Sequence, residues 1–282
     1  MEKTVVYLDS NVVIDVLEGR EDELLGLFVR SLHIGPYCYP FSAELLSEIT
    51  DINYADRNRQ RMLLVSNLSL NIYFENSFNS IGFTTKPPQQ VFDTITEAGN
   101  DSDVFLHFSN LIPFEHIVKL RAEYELEPSV LNNMEPLDAI NAIEAALANH
   151  QNSDGTGGVE SPRSLREMVS EISNIVEESF KGVGQGLGEQ VKHDEPRNDL
   201  IIFFSLLDSF GYWGDPKKKY AKGSRFIDAQ HALAGSYYGA VVSRDNHYIH
   251  KARAAYDYMG ITTKTYSTEE FKAHLKEVLG SQ

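Results

Sequence analysis

Residues 5–19 read VVYLDSNVVIDVLEG. Val5, Val6, Tyr7 and Leu8 form a short apolar run of strand-favouring residues, and it stops at Asp9, Ser10 and Asn11. Val12, Val13, Val16 and Leu17 then fall on one face of a helix. Two roles for Asp9 follow. Asp, Ser and Asn satisfy free N–H groups at a helix start. The carboxyl end of a parallel strand is also where open α/β sheets place ligands and chemistry. The choice turns on whether other carboxylates in the chain hold matching positions.

Strand–helix alternation recurs at both ends of the chain. After the strand at 5–8 the pattern predicts helices over about 11–18 and 21–32, and then the short apolar segment HIGPYCYPFS (33–42). A helix beginning at Ser42 buries Leu45, Leu46 and Ile49. Near the end, a helix over 228–238 follows Phe226 and Ile227, and a strand over 240–243 (AVVS) runs into Arg244 and Asp245. A helix over 246–258 and a last strand within ITTKTY (261–266) complete the pattern. Strands alternating with helices predict an α/β fold with a mostly parallel central sheet. The middle of the chain differs. EPLDAINAIEAALANH (135–150) and SLREMVSEISNIVEESF (164–180) are helical, with Ser164 and Glu167 at capping-box spacing. We therefore expect a domain built from 1–75 and 195–282, interrupted by an acidic helical insertion over 76–194. GVGQGLG (182–188) fits neither the dinucleotide nor the P-loop glycine pattern and reads as a connection.

The 282 residues carry a net charge of −16, which at first argues against a nucleic-acid partner. The charge is uneven. Residues 76–194 hold 19 acids against 7 bases, whereas residues 195–282 hold 10 against 12. The single cysteine, Cys38, excludes an internal disulfide and a thiolate zinc cluster, and it reads as buried and inert. The longest apolar run, LIIFFSLL (200–207), is far shorter than the roughly 20 residues of a membrane span. No signal segment opens the sequence, so a soluble, cytoplasmic protein without a membrane partner is expected.

Further carboxylates stand where strands stop or helices start. Glu48 lies six residues after Ser42, Asp228 opens the helix of SRFIDAQHALAG, and Asp245 follows the AVVS strand as Asp9 follows VVYL. Four clustered carboxylates repel one another unless a cation neutralises them, and oxygen ligands without His or Cys suit Mg²⁺ or Mn²⁺. In this order and context the residues resemble PIN-domain nucleases. The family pattern is a strand ending in D-[ST]-N, an S-x-x-x-x-x-E helix, a helix opening with Asp, and a strand ending in [ST]-x-D. Here these are Asp9-Ser10-Asn11, Ser42 through Glu48, Asp228, and Ser243-Arg244-Asp245. The resemblance implies a PIN-like three-layer fold. It also implies catalytic, metal-binding carboxylates at Asp9, Glu48, Asp228 and Asp245, supported by Asn11 and Ser243. The implied activity is hydrolysis of phosphodiester bonds, usually in RNA, by metal-activated water.

Other residues are secondary. The basic run PKKKYAKGSR (216–225) predicts phosphate contacts from Lys217, Lys218, Lys219, Lys222 and Arg225, joined by Arg244; a solvated loop is the plain alternative. Tyr212, Trp213 and Tyr220 flank it as base-stacking or packing aromatics. Glu44 rivals Glu48 one turn earlier, and Asp15 reads as a surface or local structural acid. His231 reads as a core histidine, and His247 and His250 as residues of a surface helix. Two other functions compete. A haloacid-dehalogenase-type phosphatase needs Asp-x-Asp, and position 11 is Asn. A non-catalytic protein of the same fold would act through the insertion, by a protein partner or by self-association along Leu165, Met168, Ile172 and Ile175.

Overall fold

Every residue of the first apolar run from Val6 onward is buried, as a parallel strand covered on both faces requires. The computed structural model describes residues 3–50, 55–77, 80–98, 114–153, 164–181, 195–215 and 224–280. The chain divides into two compact units. One comprises Met1–Ser102, Ala234–Ile249 and Thr262–Gln282, the other Asp103–Leu233 and His250–Ile261. The expected boundary at 75/76 falls inside a strand of the first unit, Ile72–Ser77.

The first unit is α/β. Strand β1 (Thr4–Leu8) is followed by helices α1 (Ser10–Leu17) and α2 (Asp22–His33), and then by β2 (Tyr37–Cys38). β3 (Phe41–Ser42), α3 (Ala43–Ile49), α4 (Ala55–Ser69), the hairpin β4 (Ile72–Ser77) and β5 (Ser80–Thr85), and α5 (Pro88–Ala98) come next. β6 (Ala240–Ser243) and β7 (Lys264–Ser267) return to the first sheet, whose order is β2-β1-β6-β7 and whose pairings are all parallel. A second sheet has the order β3-β4-β5, with β4 and β5 antiparallel.

The register Val6↔Ala240, Tyr7↔Val241 and Leu8↔Val242 alternates side chains between the two sheet faces. Val6, Leu8, Ala240 and Val242 share a core with Val12 and Val16 of α1, Leu24 and Phe28 of α2, and Leu46 of α3. Each such side chain contributes about 1.5–3 kcal/mol by leaving water. Tyr7 faces the other way and meets Tyr238 edge-on at 5.0 Å, which in turn packs on Phe74 of β4. The chain leaves β1 towards β2 on one side, while β6 leads to β7 on the other. Strand order therefore reverses between β1 and β6, and such a switch point opens a crevice at the carboxyl ends of the two strands. Asp9 and Ser243 stand at those ends.

The second unit is helical among its described residues. It holds α6 (Phe114–Glu123), α7 (Pro128–Leu131), α8 (Pro136–Ser153), α9 (Leu165–Lys181) and α10 (Glu195–Phe210). Most of α11 (Ser224–Gly235) and of α12 (Asn246–Met259) also belongs to it, and α13 (Thr268–Gly280) closes the first unit. LIIFFSLL lies in α10, where Leu200, Phe203, Phe204 and Leu207 are buried. The Ser164 hydroxyl accepts from the Glu167 N–H at 3.1 Å, one half of the expected capping box. Leu165 and Val169 are buried, so the first turns of the α9 stripe serve the interior of this unit; the side chain of Ile175 lies outside the described residues. Among the described residues no helix is long and apolar enough to cross a membrane.

Candidate functional site

The capping role open to Asp9 is filled by its backbone. The Asp9 carbonyl accepts from Val12 N–H at 3.0 Å and from Val13 N–H at 3.3 Å, while its side chain makes no cap bond to α1. Asp9 is 6% exposed, and its carboxylate is held by other groups. Ser243 Oγ donates to Oδ2 at 2.5 Å, Asn11 Nδ2 donates to Oδ2 at 3.3 Å, and Ser10 Oγ donates to Oδ1 at 3.3 Å. Asp9 is thus fixed from both strands that border the switch point. The two supporting positions, Asn11 and Ser243, bond to it directly.

Glu48 reaches the same place from α3. A carboxylate oxygen of Glu48 and one of Asp9 lie within 4.8 Å of each other, with Asp9 buried and Glu48 exposed. The start of α3 is fixed by Ser42, whose Oγ accepts from Leu45 N–H at 3.2 Å. The Tyr7 hydroxyl stands 3.5 Å from that Oγ. Burial, then the nearby Glu44 carboxylate, hold the Tyr7 phenol well above its ordinary range, and the same two causes act on Tyr238. Both phenols stay neutral, so the carboxylates gain no further anion from the aromatic floor. Glu44, the rival of Glu48, acts on these tyrosines. Ser42→Ala removes the cap of α3 and should cost about 1 kcal/mol, read as a lowered unfolding midpoint.

Asp245 combines both of its possible roles. Its N–H donates to Ser243 Oγ at 3.0 Å, which ties it to the Asp9 support. Its Oδ1 accepts from His247 N–H at 2.8 Å and Tyr248 N–H at 3.3 Å, capping α12. Asp228 is placed differently from expectation. The helix predicted over 228–238 runs from Ser224 to Gly235, so Asp228 stands one turn inside it instead of opening it. Ser224, a residue type that starts helices, precedes the Phe226-Ile227 pair that reads as strand-like in sequence. Asp228 belongs to the second unit, as does the buried His231 one turn on.

The secondary residues divide between the alternatives open to them. Asp15 is buried, not superficial, and its carboxylate takes Arg244 at 2.6 Å and Arg20 at 3.0 Å. Arg244 is therefore paired with an acid while its side chain stays 52% exposed. Tyr212 is buried, and Trp213 stacks on His250 at 4.0 Å, so both pack within the second unit. Cys38 is buried, and burial raises its thiol pKa, as an inert cysteine requires. Lys217, Lys218, Lys219, Tyr220 and Lys222 lie outside the described residues, as do the side chain of Arg225 and the connection 182–188.

One group in the second unit carries no local sequence signal. Lys251, fully buried on α12, lies 3.1 Å from Asp208 of α10 and 3.7 Å from Asp215, both also buried. Its ammonium stands 4.9 Å from the Phe204 ring centre. Burial opposes the charge, but Asp208, Asp215 and Asp228 outweigh it and raise the Lys251 pKa. Asp208 and Asp215 are 7 positions apart, but α10 ends at Phe210 between them, and Lys251 lies a further 36 positions on, so no single element's period joins the three. No protein-family model, curated protein or solved structure matches the chain.

Proposed function

We propose that the protein is a metal-dependent nuclease of PIN-like architecture that hydrolyses phosphodiester bonds in RNA. The observation that carries this reading is the Asp9 carboxylate, buried at the switch point, unused in capping and within 4.8 Å of Glu48. The donor set fits a hard cation. Two oxygens on opposite sides of Mg²⁺ lie about 4.2 Å apart, and the Asp9 and Glu48 oxygens, within 4.8 Å of each other, are in the range that one ion can bridge. Asp245, and Asp228 by the sequence resemblance, would complete the set. A bound Mg²⁺ or Mn²⁺ would supply a more acidic water and stabilise charge on the scissile phosphate.

The chain's own residues have separate tasks. Asp9 binds, and Ser10, Asn11 and Ser243 hold its two oxygens in place. Exposed Glu48 would bind the ion from the solvent side of buried Asp9, on a helix whose start is pinned by Ser42. One observation favours a non-catalytic protein of the same fold: the Asp245 Oδ1 already caps α12. Cleavage of single-stranded RNA, duplex RNA and single-stranded DNA, with Mg²⁺, with Mn²⁺ and with excess chelator, separates the two readings. Metal-dependent cleavage of RNA is expected. A purified chain that leaves all three substrates intact with either metal would favour the non-catalytic protein.

The basic run gives a second handle. Replacing Lys217, Lys218 and Lys219 by Ala should weaken RNA binding more than it slows cleavage of bound RNA. It should also reduce the slope of log affinity against log salt by about 0.7 per lost contact. Unchanged affinity and slope across a salt series would make this run a solvated loop.

A further inference from the structure

We infer that the helical unit carries a docking groove for a basic amphipathic helix of a partner protein. The groove has a volume of about 650 Å³ and is formed by the turn between α6 and α7 and by one face of α8. This site is independent of the carboxylates proposed to bind metal. Its floor is apolar, from Leu126, Met134 and the small residues Ala142 and Ala146, which leave room for a second backbone. Val130 is 53% exposed, an apolar side chain left open to solvent in the groove wall.

The rim defines the occupant. Glu123, Glu125 and Glu127 line it, and among the described lining residues there is neither lysine nor arginine. Helix-end structure does not account for these acids. Leu126 N–H bonds to Arg121 C=O and Glu125 N–H to Ala122 C=O, the paired bonds of a Schellman end, which places Glu125 at φ +55°. Glycine is the usual residue at that position. Glu127 is the N-cap of α7, yet its side chain makes no cap bond. Among the described residues, no cation pairs with Glu125 or Glu127.

An apolar floor with an acidic rim complements a segment with apolar residues at helical spacing and Lys or Arg beside them. Nucleic acid is disfavoured because the rim repels phosphate. Strand addition has no edge to use, since the described residues of this unit contain no strand. A helix lying along α8 meets both requirements.

The test uses the full chain and a fluorescent 16-residue synthetic helix with leucines at i, i+3, i+4 and i+7 spacing and lysines elsewhere. A glutamate-for-lysine counterpart is the control. The lysine peptide should bind, and the combined change Glu123→Gln, Glu125→Gln and Glu127→Gln should weaken it by roughly tenfold or more. With ¹³C-methyl methionine, the Met134 signal should move on binding while that of Met62 stays. Glu125→Gly relieves the positive φ and should raise the thermal midpoint while still weakening the peptide, which separates recognition from folding. Equal affinity for the triple variant, or an unmoved Met134 signal, would mean that the peptide merely adheres to an acidic surface, and the proposal would fall. Concentration-dependent dimerisation abolished by the triple variant would assign the groove to a second copy and overturn the partner assignment.

Discussion

Asp9→Asn should lower metal-dependent cleavage by roughly a thousand-fold and leave the protein folded. Several kcal/mol of transition-state stabilisation from a correctly held ion corresponds to that factor, at about 1.36 kcal/mol per decade. The fold should survive because the bonds that start α1 come from the Asp9 carbonyl, which the substitution keeps. Asn has the same shape, and its amide oxygen still accepts from Ser243. Removing one of two neighbouring carboxylates also relieves repulsion, so the metal-free melting temperature should hold or rise. Ser243→Ala should be milder, with metal affinity reduced roughly 10–100-fold, because it loosens a ligand instead of deleting one. Asp245 needs Asn in place of Ala: Asn keeps the α12 cap, whereas Ala removes it at a cost of about 1 kcal/mol and confuses folding with chemistry. Cleavage rates, circular dichroism and melting curves of these variants decide the matter. An Asp9→Asn protein with full activity, or a wild-type protein indifferent to chelator, rejects the metal mechanism.

Those parts of the fold that repeat a local pattern are legible in the sequence. The runs at 6–8 and 240–242 are buried on both faces and continuously apolar, and α1 and α12 follow their strands directly. β2 and β3 have two residues each, too few for any period, and β4 and β5 are defined by pairing with each other. Helix α4, rich in polar residues along ADRNRQR, shows little amphipathic signal. In the candidate site, Asp9, Asn11 and Ser243 can be read because each sits beside a strand end. The state of their side chains cannot: sequence is silent on which oxygen of Asp9 or Asp245 satisfies a cap. The sequence leaves Asp15 open between a surface and a local structural role for the same reason. Its partner Arg244 is 229 positions away and is brought to it by the pairing of β1 with β6.

The largest stability effect should come from Lys251→Met. Asp208 and Asp215 are 1% and 3% exposed, and removal of the ammonium takes away the buried cation that faces both carboxylates. Breaking a buried pair on one side costs about 3–5 kcal/mol. The chain supplies its own reporter. Its single tryptophan, Trp213, lies in the second unit, between Asp208 and Asp215 in sequence, and stacks on His250 beside Lys251. Trp213 fluorescence during urea unfolding therefore follows the unit that holds the cluster, so the two units need not unfold together for the comparison to be valid. Adding Asp208→Asn and Asp215→Leu to Lys251→Met should recover much of the loss, because the charges are then removed together. The amide oxygen that Asp208→Asn introduces can still accept from the N–H of residue 215, as the Asp208 carboxylate does at 2.7 Å. The pH dependence has a defined sign. The folded pKa of Lys251 is raised above 10.5, so its stabilisation is complete below that value and declines only as pH rises through the folded pKa. The difference between wild type and Lys251→Met should accordingly stay flat from about pH 6 to 9 as far as the lysine is concerned, and shrink in alkali. A loss below about 1 kcal/mol at neutral pH, with Trp213 still reporting a single transition, would show that the two carboxylates are not dependent on this lysine. It would remove the cluster as a mainstay of the helical unit.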